Sequence, residues 1–122
     1  GGYVIRTKDK GAYAVHGEIA KKYASINGVE SSLGAPVSGE QAISGGALQT
    51  FQHGAIYWSP STGAHFIMNG NIRDVWGKQG WENGAFGWPT ADQEKIQSGG
   101  EKMTFQHGTI SEVNGRIVEE KK

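Results

Sequence analysis

The sequence predicts an α+β fold of two tandem units, each a short helix plus a loop, bracketed by three β-hairpins. An internal repeat, helical apolar stripes and hairpin turn sequences lead to this prediction. The clearest is the repeat, because the run from Phe51 to Ile56 (FQHGAI) returns from Phe105 to Ile110 (FQHGTI), at positions 51 and 105. A period of about 50 residues is typical of proteins that stack one supersecondary unit, and such arrays usually bind along or between their units.

Further matches extend the repeat over most of the chain. The loop sequence Leu33-Gly34-Ala35-Pro36 matches Phe86-Gly87-Trp88-Pro89, and Gly17-Glu18-Ile19 matches Gly70-Asn71-Ile72. The length of 122 residues suits one compact domain. We therefore predict a single domain, 1–122, with a first repeat at about 11–62, a second at about 63–114, and flanking hairpin strands at 2–10 and 115–118.

Hairpins are predicted where short apolar runs flank turn residues. Ala55–Trp58 and Ala64–Ile67 flank a turn rich in Ser, Pro and Gly. By alignment, 2–6 and 11–15 form an earlier hairpin. A third opens at Gly108 and turns at Asn114-Gly115, a favoured two-residue hairpin connection.

A short helix is predicted in each repeat. Ile19, Tyr23 and Ile26 fall at i, i+4 and i+7, and Asn27-Gly28 supplies a left-handed end. The second copy carries Ile72, Val75 and Trp76 and stops near Gly80. After each helix, an irregular segment with a Gly-x-Pro turn is expected to lead into a strand that begins at Phe51 or Phe105.

Composition narrows the function classes. Lys plus Arg and Asp plus Glu both number 12, so the formal net charge is zero, which argues against a nucleic-acid partner. There is no cysteine, and no apolar window is long enough to span a bilayer, so we expect no membrane insertion. The histidines lack close metal-ligand spacing, and we expect no metal and no cofactor.

No catalytic constellation is evident. Glu40 and Asp92 could form a glycosidase pair only across one cleft, and they occupy matching places in separate repeats. Ser38-x-x-Gln41 and Thr90-x-x-Gln93 instead fit a capping box at a helix start. We therefore predict that the chain is not an enzyme.

Aromatic residues are the main candidates for ligand contact, because an indole face stacks on the apolar face of a sugar ring. Trp76 lies on the helical stripe and is expected in the core. Trp58, beside Tyr57, precedes a hairpin turn and is replaced by polar residues in the other hairpins, which indicates partial exposure. The remaining candidates are Trp81, in a glycine-rich loop, and Trp88, beside a Gly-x-Pro turn.

The repeated Gln-His pairs are the second group of candidates. Gln52-His53 and Gln106-His107 follow the phenylalanines, and in a strand Phe and His would share one face and Gln the other. Two interpretations remain open: a repeated hydrogen bond that holds a loop, or a polar binding site where the next hairpin begins.

These segments resemble the LGFP repeat, named for a Leu-Gly-Phe-Pro motif. The resemblance is carried by Leu33-Gly34-Ala35-Pro36, by the FQHGAI run from Phe51, and by Tyr57-Trp58-Ser59-Pro60 with Gly63-Ala64-His65. It covers about residues 2–118. The naming motif is Leu-Gly-Ala-Pro in the first copy and Phe-Gly-Trp-Pro in the second.

The resemblance implies a secreted, non-catalytic module of the actinobacterial cell wall. Such repeats often lie beside mycolyltransferase or peptidoglycan amidase domains and are thought to tether them to the wall. The implied partner is cell-wall polysaccharide, either arabinogalactan or peptidoglycan, together with an attached or associated envelope enzyme. The alternatives are a protein-interaction module, with exposed tryptophans as hot spots, and a structural spacer with every tryptophan buried.

Overall fold

The computed structural model describes residues 2–7, 11–96 and 99–121, and it confirms the mixed α+β class. Residues 8–10 of the predicted 2–10 segment lie outside this description. The chain separates into two compact units, Gly1–Ala64 and His65–Lys122. The elements, in chain order, are β1 (Gly2–Thr7), β2 (Gly11–His16), α1 (Gly17–Ser25), β3 (Gln41–Ile43), β4 (Gly46–Phe51), β5 (Gly54–Ser59), β6 (Gly63–Met68), α2 (Asn71–Lys78), β7 (Glu94–Lys95), β8 (Glu101–Phe105), β9 (Gly108–Val113) and β10 (Arg116–Lys121).

Three antiparallel sheets contain these strands. β1 pairs with β2, one four-stranded sheet has the order β3-β4-β5-β6, and the other has the order β10-β9-β8-β7. The hairpin turn at Asn114-Gly115 is confirmed, with φ values of 52° and 78°. These positive φ values match the right-handed twist of the flanking strands.

The prediction for the segments before the phenylalanines is wrong. A strand ends, not begins, at each phenylalanine, since Phe51 pairs with Gly54 and Phe105 pairs with Gly108. Gln52-His53 and Gln106-His107 are therefore two-residue turns, and the rule of alternating strand faces does not apply to them. In β4 the residues that point inward include Ala47 and Gln49, so the apolar alternation is masked in the sequence.

The two helices form where predicted and bury most of the predicted faces, but Ile26 lies just beyond the end of α1 and Val75 is only half-buried. Ile19 and Tyr23 of α1 and Ile72 and Trp76 of α2 are each at most 3% exposed. The Tyr23 ring packs on Phe51 at 4.7 Å between centroids, and the Trp76 ring packs on Phe105 at 5.0 Å. Each helix is thereby anchored to the phenylalanine that ends a strand of its own unit.

The polar group of each of these two rings, Tyr23 and Trp76, also forms a hydrogen bond with the Gly-x-Pro loop. The Tyr23 hydroxyl donates to the Gly34 carbonyl at 2.7 Å, and the Trp76 Nε1–H donates to the Gly87 carbonyl at 3.1 Å. Both bonds are buried, where an unpaired carbonyl would be destabilising. The two units thus use the same construction with a different aromatic ring.

The capping-box prediction is wrong at both positions. The Ser38 hydroxyl bonds the Thr50 hydroxyl at 2.6 Å, and the Thr90 N–H donates to the Thr104 carbonyl at 2.9 Å. These residues join the loop to a strand, and no helix begins at either of them. Over the described residues, neither α1 nor α2 has the length and apolar character of a transmembrane span.

Candidate functional site

The Gln-His turns hold the loops of their own units. The Gln52 Oε1 accepts the Ala35 N–H, and the Gln106 Oε1 accepts the Trp88 N–H, each at 3.0 Å. The turn backbone adds a second bond, since the His53 N–H donates to the Leu33 carbonyl at 3.0 Å. Of the two interpretations of the glutamines, the structure shows the hydrogen bond that holds a loop.

The histidines of these turns have a different environment. His53 and His107 are exposed. The amide side chain of each turn is engaged with the loop, while the imidazole faces solvent. The histidine of each pair is thus accessible to a ligand with the turn intact, and Gln52 is exposed as well, whereas Gln106 is half-buried.

Trp58 lies in a cleft of the first unit. The indole is half-buried on β5, directly opposite Ala47 of β4. The cleft has a volume of about 300 Å³. We call it the Trp58 cleft; its lining residues are Gly17, Glu18, Ile19, Glu40, Ala47 and Trp58.

The Trp58 cleft combines an apolar wall with an acidic rim. Trp58, Ala47 and Ile19 supply the apolar surface, and Glu18 and Glu40 supply carboxylates. Glu18 also pairs with Lys21 at 3.1 Å on the exposed side of α1. A ring with one apolar face and hydroxyls at its edge would satisfy both kinds of surface.

The other aromatic candidates differ in accessibility. Tyr57, predicted to contact ligand, is only 3% exposed, so its side chain offers little surface to a ligand. Its side chain lies on the opposite face of β5 from Trp58, because neighbours on a strand alternate, and Trp58 shares the face of Ala47. Trp88 is half-buried in the loop held by Gln106. Trp81 is 39% exposed, which excludes a spacer with every tryptophan buried.

In the first unit, the predicted site residues do not all lie together. His53 and Trp58 stand at opposite ends of β5, a separation of roughly 16 Å at the rise of a strand. The sequence alone does not indicate that Glu18 is a neighbour of Trp58, and it suggests Glu40 only as a possible catalytic or helix-capping group. Nothing local in the sequence links Glu18 to Glu40, because tertiary packing brings them together.

Asp92 has a structural role in the second unit. Its Oδ1 accepts the Phe66 N–H at 3.1 Å and lies 3.3 Å from the His65 Nδ1. It thereby secures the backbone of β6. Within the described ranges, no group of three or more His, Asp or Glu side chains is arranged to hold a metal ion.

The comparison with known proteins identifies one family. No curated protein matches the chain. The family model of the LGFP repeat matches residues 33–84. The matched stretch begins at the Leu33 loop and extends through β3 to β6 and α2. It therefore starts and ends about 22 positions later than the predicted first repeat at 11–62. The resemblance to the LGFP repeat is confirmed over residues 33–84 of this chain.

Proposed function

We propose that the chain is a non-catalytic module that binds cell-wall polysaccharide, arabinogalactan or peptidoglycan, in a secreted and wall-associated protein of an actinobacterium. The observation that carries the proposal is the Trp58 cleft, with its indole wall and carboxylate rim. The LGFP repeat at residues 33–84 supports the wall association, since this is the setting that the family implies.

The chemistry of the Trp58 cleft favours an uncharged glycan. The indole face would stack on the C–H face of a sugar ring, and Glu18 and Glu40 would accept hydrogen bonds from its hydroxyls. The same carboxylates would repel a phosphate or carboxylate polymer. An open cleft of this size buries little surface, so we expect micromolar to millimolar affinity for a short fragment.

We further propose that the second unit is also an LGFP-like repeat. Its support is the matching set of contacts: the helix ring bonded to the loop glycine, the glutamine bonded to the loop N–H, and the bridges Pro36–Phe51 and Pro89–Phe105. A non-catalytic role is supported by Asp92, whose Oδ1 is engaged with the backbone of β6.

Retention on insoluble cell-wall material tests the proposal. The purified chain is incubated with intact wall and with wall stripped of arabinogalactan, and the bound fraction is measured. We expect retention on intact wall, loss of retention on stripped wall if arabinogalactan is the target, and displacement by soluble arabinan or galactan. Displacement by muropeptide instead would assign peptidoglycan. Absence of retention on both preparations would overturn the proposal.

Variants at Trp58 connect retention to the cleft. Trp58→Ala should weaken retention about tenfold or more, and Trp58→Phe should restore part of it because a smaller ring still stacks. Val118→Ala is the matched control, since Val118 is an apolar side chain on β10 and is 39% exposed. Equal losses of retention in Trp58→Ala and Val118→Ala would show that the Trp58 cleft is not the binding site. Retention that free glycans cannot displace would indicate a protein partner.

A further inference from the structure

Trp81 occupies a backbone position that suits glycine. It has φ 57°, and Gly28, 53 positions earlier, has φ 56°. The local hydrogen bonds match as well, since the Ser31 N–H donates to the Gly28 carbonyl at 2.9 Å and the Gly84 N–H donates to the Trp81 carbonyl at 3.0 Å. The two units share one backbone turn, and only the second places a bulky side chain where left-handed geometry disfavours it.

A second unusual residue makes room for this tryptophan. Gly77 lies inside α2, where glycine weakens a helix, and the corresponding residue of α1 is Ala24. A Cβ at Gly77 would lie 2.6 Å from the Cη2 of Trp81 and 2.7 Å from its Cζ2. The first unit thus combines Ala24 with Gly28, and the second combines Gly77 with Trp81. Two locally unfavourable residues, a glycine inside a helix and a tryptophan at positive φ, occur together, and the glycine leaves the space that the tryptophan ring fills.

The ring is held firmly and yet stays at the surface. It meets Trp76 edge-on, with 5.5 Å between centroids and planes at 86°. The Arg73 guanidinium carbon lies 5.2 Å from its centroid, and the Arg73 Nη1 donates to the Asn69 Oδ1 at 2.8 Å. Trp81 nevertheless remains 39% exposed. Strain that is retained for an exposed ring is typical of a binding position, because core packing alone would bury it.

The surroundings of the ring identify the ligand chemistry. Trp81 lines an open depression of about 340 Å³ with Asp74, Gly77 and Lys78. Asp74 and Lys78 are one helical turn apart and present an acceptor and a donor beside the ring. Sugar hydroxyls both donate and accept, so an uncharged polyol satisfies both groups.

We infer that the Trp81 platform (Asp74, Gly77, Lys78 and Trp81) is a second glycan subsite that takes the apolar face of one sugar ring. This inference rests on the proposed function and deepens it, because the chain then carries two separate subsites, the Trp58 cleft in one unit and the Trp81 platform in the other. Two weak subsites on one chain bind a polymer with higher apparent affinity than either alone.

The two units supply a matched variant for the test. Gly77→Ala with Trp81→Gly recreates the Ala24 and Gly28 combination of the first unit. This double variant removes the positive φ of a bulky residue and a mid-helix glycine, which offsets the lost contacts of Trp81 with Trp76 and Arg73, and its Tm should stay well above the temperature of the binding assay. Any loss of binding in it is then not a loss of folding. Gly77→Ala alone should displace the ring of Trp81, and its emission should shift.

Isothermal titration with short galactan and arabinan fragments, together with retention on intact wall, gives the readout. We expect the original chain to bind two fragments, the double variant one, and the double variant carrying Trp58→Ala none. Retention of the double variant should fall roughly tenfold or more, through loss of avidity. Unchanged stoichiometry and retention in the double variant would overturn the inference.

The outcomes separate this inference from the proposed function. If Trp58→Ala weakens retention while the double variant binds as the original chain does, only the Trp81 platform is excluded. If the original chain binds neither wall nor fragments, both proposals fall. If free glycan fragments do not displace the original chain from intact wall and the double variant still loses retention, Trp81 contacts a protein, and the glycan assignment is wrong.

Discussion

The glutamine of each Gln-His turn shows how one side chain stabilises a loop. The Gln52 Oε1 bonds the Ala35 N–H at 3.0 Å, and Gln106 repeats the bond in the second unit. The loop backbone is partly shielded from water, so its N–H needs a protein acceptor. This requirement accounts for the recurrence of glutamine at this position in both units.

Substitution of Gln52 should therefore affect stability. We expect Gln52→Ala to lower the free energy of unfolding by about 1 kcal/mol, because the Ala35 N–H loses its acceptor. His53→Ala, in the same turn but exposed, should change it by less than about 0.5 kcal/mol. Urea unfolding followed by circular dichroism measures both, and equal effects would contradict this role of the glutamine.

The loop glycines are constrained at the same place. Gly34 and Gly87 have φ values of 76° and 77°, and a Cβ on them would lie 2.4 Å and 2.6 Å from the Oε1 of Gln52 and Gln106. Gly34→Ala should cost about 1–2 kcal/mol from its φ alone. Gly39→Ala is the control, since a Cβ there meets nothing within 4 Å. Thermal unfolding should show a lower Tm for Gly34→Ala only.

At the scale of elements, each helix is fixed to its loop by one aromatic side chain. Tyr23 and Trp76 pack on a phenylalanine and donate one hydrogen bond to the loop glycine carbonyl. Position and polarity of the ring matter more than its identity. A phenol and an indole therefore serve the same purpose in the two units.

Removal of the Tyr23 hydroxyl isolates this bond. Tyr23→Phe keeps the ring that packs on Phe51 and leaves the buried Gly34 carbonyl without its 2.7 Å donor. We expect a loss of about 1–3 kcal/mol in the free energy of unfolding, measured by urea titration. Trp76→Phe should lose more, since it also removes buried ring volume. A neutral Tyr23→Phe would show that the bond contributes nothing net.

The elements also show what the sequence could predict. Hairpins with Asn-Gly turns and helices with apolar stripes follow from local rules, and both are present. The sequence does not indicate β4 and β8, because some residues at their inward positions, such as Gln49, are polar. The Gln49 Nε2 donates a hydrogen bond to the Ser38 carbonyl, and this partner is provided only by the folded chain. The neighbours of Trp58 are set by tertiary packing. The fit of Trp81 over Gly77 depends on a positive φ, which residue types alone do not reveal.

For the whole molecule, the balance of charges predicts how strongly binding depends on salt concentration. The formal net charge is zero, and the ligand surfaces proposed here rely on stacking and hydrogen bonds. A protein that neutralises phosphates loses about 10³–10⁵ in affinity between 50 and 200 mM salt. Retention of this chain on cell wall should change less than about twofold over that interval. A steep decrease, similar to that of a strongly basic control protein, would contradict a neutral glycan as the ligand.

The sheet edges have a consequence for a protein that gathers on a polymer. β3 and β7, each at an edge, contain only 3 and 2 residues, and the edge strand β10 exposes Glu119, Glu120 and Lys121. Very short or charged edges resist the addition of a strand from a neighbouring molecule. The edges at β3, β7 and β10 therefore disfavour aggregation through these strands if many copies bind along one glycan.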